Sequence, residues 1–96
     1  MITKEEIHKK ADLHLLTNLG QFIGAGEPVF DRMIEVWIVT VFHKSNVATF
    51  PVGEMLLDKD GNVLDAPTDK DIDGVFERKF EGNEKLKEKF ELVATT

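Results

Sequence analysis

Residues 33–43 read "MIEVWIVTVFH", Met33 to His43, and the architecture follows from that run. β-Branched and aromatic side chains fill it, which predicts a β-strand. Alternation places Ile34, Val36, Ile38, Thr40 and Phe42 on one face and Glu35, Trp37, Val39, Val41 and His43 on the other. Both faces are mostly apolar. Such a strand is central and covered on both sides, by helices of its own chain or by a second subunit.

Downstream, "KSN" at 44–46 is a turn, and "VATFPVGEML" continues as a second long strand in which Pro51 and Gly53 mark a bulge or an edge position. "DKDGN" at 58–62 makes the next tight turn, with Gly61 free to take a positive φ, and "VL" at 63–64 opens a third strand. Thr68 and Asp71 form a capping pair ahead of Ile72, Val75, Phe76 and Phe80, which predicts a helix over 69–80. Gly82 and Asn83 end it. Leu86, Phe90 and Val93 then mark a last, highly charged helix with a narrow apolar stripe.

Upstream, Thr3 and Glu6 form a capping box, and Ile7, Ala11, Leu15 and Leu16 recur at helical spacing until Asn18 and Gly20 supply a stop. This predicts a helix over 3–19. "QFIGAGEPVF" at 21–30 has two glycines and a proline, the mark of a turn or irregular entry into the sheet, with a short edge strand near Val29. The expected fold is α+β, one domain over residues 1–96: a three- or four-stranded antiparallel sheet with an N-terminal helix and two C-terminal helices.

Composition bounds the function classes. The 96 residues are 42% apolar and 31% charged, an ordinary globular balance. There is no cysteine, which excludes disulfides, thiolate metal sites and cysteine nucleophiles and favours a reducing compartment, so the expected location is the cytoplasm. The start lacks a signal-peptide pattern, and no apolar run approaches the roughly 20 residues that span a bilayer. Net charge is −6, and the excess acid is local: residues 54–74 hold seven acidic and two basic side chains. A phosphate backbone is repelled there, and no basic patch with interleaved aromatics occurs elsewhere, so neither nucleic acid nor membrane is expected as a partner.

Chemistry-bearing residues are few. Asp58, Asp60 and Asn62 have the first three ligand positions of an EF-hand loop, but Val63 stands where that loop needs glycine and Asp69 where it needs glutamate. A strand-connecting turn is the simpler reading, and no metal or other cofactor is expected. "GAGEP" at 24–28 follows a helix and enters a strand, the reverse of a phosphate cradle. His8 and His14 are six residues apart, on different helical faces, so they make no metal pair. Ser45, the only serine, lies in a presumed turn without a nucleophile-elbow sequence.

The run "EVWIVTV" followed by "GEMLLDKDGNVL" resembles the strand pair of PepSY-like domains, over residues 3–65. Trp37, Ile38, Val39 and Val41 carry the first part; Gly53, Asp58, Gly61, Val63 and Leu64 carry the second. The resemblance implies an α-β-β-β unit with a binding or peptidase-inhibiting role and no catalysis. The expected function is therefore a small interaction or regulatory module. Its surface would be Trp37, Glu35, Val39, Val41 and His43, and its partner another protein or a second copy paired through that sheet face. The alternative is a small-molecule-binding protein or a hydrolase using His14 or His43 with a nearby carboxylate.

Overall fold

The computed structural model describes residues 2–46 and 49–80. Its elements are helix α1 (Lys4–Leu19), strands β1 (Ile23–Ala25), β2 (Val29–Asp31), β3 (Val36–Lys44), β4 (Thr49–Asp58) and β5 (Val63–Asp65), and helix α2 (Asp69–Phe80). The further helix expected around Leu86, Phe90 and Val93 lies outside the described residues. No described helix is long and apolar enough to cross a membrane.

Both helices begin where their capping residues predict. The Glu6 amide donates to Thr3 Oγ1 at 3.3 Å, and the Thr3 hydroxyl donates to Glu6 Oε1 at 3.2 Å. At the other end Gly20 takes φ +93° and its N–H returns to the Leu16 carbonyl. Thr68 and Asp71 repeat the box for α2, with the Asp71 amide on Thr68 Oγ1 at 3.3 Å and the Thr68 amide on Asp71 Oδ2 at 2.9 Å.

β3 is the hub of an antiparallel sheet. β4 runs along one of its edges, from Val36 opposite Asp58 to Lys44 opposite Thr49. The other edge is shared: β1 pairs near its end, Ile23 opposite His43, and β2 pairs near its start, Val29 opposite Ile38. β5 extends the sheet beyond β4 at Leu56 and Leu57. Among the described residues there are thus five strands, not three or four, because Gly26 and Pro28 divide what reads as one irregular entry into two three-residue strands. The bulge expected near Pro51 and Gly53 is present: Phe42 faces Pro51 and Val41 faces Gly53, which leaves Val52 as the extra residue.

The core lies on one face of the sheet. Trp37, Val39 and Val41 of β3 join Phe50, Val52, Met55 and Leu57 of β4 and Ile23 and Ala25 of β1, and all are closed over by Ile7, Ala11 and Leu15 of α1 and Ile72 of α2. Side chains such as Ile7, Leu15, Met55 and Leu57, with no exposed surface, each contribute on the order of 1.5–3 kcal/mol. Leu16, expected on the inner stripe of α1, points outward instead.

The Trp37, Val39 and Val41 face, expected as the docking surface, is the covered one, and Val36 and Ile38 lie on the open face. Register supplies the reason. The strands beside Val36, Ile38 and Thr40 bring Asp31, Glu54, Asp58 and Asp65 to that face, and a helix laid over them without cations to pair them would strip water from four carboxylates. The Trp37 face meets apolar neighbours on both sides.

Candidate functional site

The residues singled out from sequence divide between the core and two turns. Trp37 is buried against Phe30, with ring centroids 5.1 Å apart. Its indole N–H has no hydrogen-bond partner among the described residues, a cost of about 1–3 kcal/mol. Val39 and Val41 have no exposed surface. Glu35 is not in the strand: it sits in the β2–β3 turn at φ +54°, exposed, a left-handed conformation that costs a non-glycine residue roughly 1–2 kcal/mol. The proposed Trp37 surface is therefore interior.

His43 is also buried, and aromatic rings surround it: Phe76 edge-on at 4.9 Å, Phe50 at 5.4 Å and Phe22 at 6.2 Å. Burial holds its imidazole below the ordinary histidine value. His14 is half-buried on α1, where its carbonyl accepts from Asn18 Nδ2 at 2.8 Å. The histidine beside a carboxylate is His8, whose Nδ1 is 3.6 Å from Asp12 Oδ2. The i, i+4 spacing of these two on a predicted helix was the signal for it.

That pair holds the sheet edge rather than a substrate. Asp12 Oδ1 accepts the Ala25 amide at 2.7 Å, and His8 Nε2 lies 3.2 Å from the Ala25 carbonyl. The β1 ladder uses Gly26 N–H and the Phe22 carbonyl toward β3, so Ala25 directs its N–H and C=O away from the ladder. α1 thus closes the hydrogen-bonding edge of β1, a place where a foreign strand could otherwise pair. With Nε2 on the Ala25 carbonyl and Nδ1 toward Asp12, both ring nitrogens of His8 face groups of this chain. The exposed Lys4–Glu27 ion pair ties the same helix to the β1–β2 link.

Asp58 is likewise occupied by its own turn. Its Oδ1 accepts the Asp60 and Asn62 amides at 2.9 Å each, and Oδ2 accepts Asn62 Nδ2 at 3.0 Å. These bonds, those from Asn62 foremost, hold its carboxyl below the usual aspartate range. Gly61 takes φ +89° to close the turn. Among the described residues, no three histidine, aspartate or glutamate side chains converge as a metal would need.

The remaining feature is the outer face of the sheet. Across it run three rows set by register: Asp31, Val36 and Asp58; then Val29, Ile38, Leu56 and Asp65; then Thr40 and Glu54. Phe42 and Pro51 follow, and Lys44 and Thr49 end the series. The glycines of β1 shape its margin. A Cβ on Gly26 would stand 2.6 Å from Phe42 Cε2, and one on Gly24 would stand 3.3 Å from Lys44 Nζ. The Phe42 ring and the Lys44 stem therefore lie on bare backbone.

Val36, Ile38, Phe42 and Leu56 are half-buried by one another, and Val29 is 62% exposed. Antiparallel sheets normally make such a face polar. At its end the β2–β3 turn holds out Met33, 94% exposed, and Ile34, 61% exposed. Sequence reasoning placed Ile34, Val36, Ile38 and Phe42 on one face but took the opposite face as the docking surface. No family model matches this chain, and no curated protein or solved structure matches it either.

Proposed function

We propose that the protein is a small interaction module, without catalysis of its own, that engages a protein partner through the outer face of its sheet. One observation carries the reading. Val29, Val36, Ile38 and Leu56 form an apolar centre on the face opposite to α1 and α2, with Phe42 beyond the Thr40–Glu54 row. Exposed apolar surface of that kind, bordered by charge, marks a place where another molecule sits. The binding role implied by the PepSY-like resemblance agrees with this and adds no residue to it.

The test compares wild-type protein with the double variant Ile38→Asp, Leu56→Asp, both used as bait in extracts of the native cell. Circular dichroism first establishes that the variant is folded. A protein recovered by the wild type and lost by the variant supports the reading. Equal recovery by both removes the outer face as the docking surface.

A further inference from the structure

We propose that the partner presents an amphipathic helix whose apolar stripe is flanked by lysine or arginine. The proposal rests on the outer-face reading and adds the chemistry of the occupant. Charge supplies the argument. Among the described residues, register puts Asp31, Asp58, Glu54 and Asp65 around the apolar centre, with Lys44 the one cation in the paired rows of that face, at the far end. All but the half-buried Asp31 and Asp58 are exposed.

The two half-buried acids are held in position. Asp31 Oδ1 accepts the Met33 amide at 2.9 Å, and Asp58 accepts three bonds within its turn, so both carboxyl groups are fixed in place. A partner with acidic flanks would oppose four negative charges at short range. A second copy of this chain is such a partner, since a two-fold contact places the same acids on both sides. A cationic flank converts the rim from repulsive to attractive and fixes the register of docking.

Shape points to a helix. From Val36 to Phe42 the outer line of β3 covers seven residues, six steps or about 20 Å at strand spacing, which a helix of about 13 residues matches. Helices pack on open sheet faces as a standard second layer. A strand would instead need a free ladder edge, and on the β1 side Asp12 and His8 occupy it.

The experiment titrates full-length, isotope-labelled protein with two synthetic helical peptides of leucine and lysine or leucine and glutamate. They share one apolar stripe and differ only in the sign of their flanks. The lysine peptide is expected to shift the amides of Ile38, Thr40, Glu54 and Leu56, and to bind about tenfold more tightly than its glutamate twin at low salt. Glu54→Lys with Asp65→Lys, two exposed positions, should abolish or invert that preference.

Equal binding of the twins, shifts confined to other surfaces, or an unchanged preference in the charge variant each overturns the proposal. So does failure of both peptides to bind, as when a second copy or another part of the chain already holds the face. Native capture abolished by Ile38→Asp, Leu56→Asp while the peptides fail to discriminate keeps the outer face as the docking surface. Only the charge assignment then falls.

Discussion

Ile38 and Val39 are neighbours in sequence on opposite sides of the sheet, and replacing each in turn by aspartate measures the assignment of its faces. Val39 has no exposed surface and lies opposite Met55 in the core. Val39→Asp forfeits about 1.5–3 kcal/mol of apolar burial. It also forces a carboxyl group into an apolar site, where a pKa rise of about 3–5 units costs roughly 4 kcal/mol at neutral pH, the cost of protonating it there. The sum is comparable to the whole stability of a chain this size, about 5–14 kcal/mol. The variant should be unfolded or close to it.

Ile38 is half-buried with its outer side free to water. Ile38→Asp therefore loses only about 1–2 kcal/mol, because the new carboxylate stays hydrated. Urea titration followed by Trp37 fluorescence and far-ultraviolet circular dichroism reads both variants. A folded Val39→Asp beside an unfolded Ile38→Asp would refute the assignment of faces and everything built on it.

Asp12→Ala should cost about 1 kcal/mol and speed amide exchange at Ala25, whose N–H loses its acceptor; exchange that does not change argues against the edge closure. Gly26→Ala places a Cβ 2.6 Å from Phe42 Cε2 and 3.1 Å from the Thr40 carbonyl oxygen, so a loss of about 1–3 kcal/mol is expected in a thermal melt. Phe76, half-buried against Phe50 and His43, should cost about 2 kcal/mol on change to alanine, below the ~3–5 kcal/mol of a fully enclosed ring. His43 has a lowered folded pKa through burial. Its neutral form thus adds stability that is full above the unfolded value of about 6.5 and lost as pH falls through the folded value. The melting temperature should drop between pH 7 and pH 5, and His43→Phe should flatten that slope.

Local chemistry was legible from the sequence wherever one residue answers to its near neighbours. The Thr3–Glu6 and Thr68–Asp71 boxes placed both helix starts to within a residue, and Pro51 with Gly53 announced the bulge. What the pattern of β3 left open was which side faces inward. Val36, Ile38 and Phe42 are as apolar as Trp37, Val39 and Val41, so alternation names two faces without ranking them. The ranking comes from register with β2, β4 and β5, which gathers four acids on one side, and pairing partners are distant in sequence. Glu35 was misplaced for a related reason: its left-handed φ keeps it in the turn, so β3 begins at Val36, three residues later than propensity suggests. His8 and Asp12 were missed because their partner, the backbone of Ala25, carries no side-chain signal.

The double pairing of β3 has a kinetic meaning as well. β4 follows it directly in the chain, so their hairpin closes a short loop at small entropic cost. α1, although earlier in the chain, has little to pack on until that hairpin exists, because Ile7, Ala11 and Leu15 meet a surface built mainly by β1, β3 and β4. A growing chain must therefore carry its N-terminal helix unsupported until Leu57 has been added. The same order makes β3 and β4 the place where substitutions slow folding, and α1 the place where they chiefly hasten unfolding.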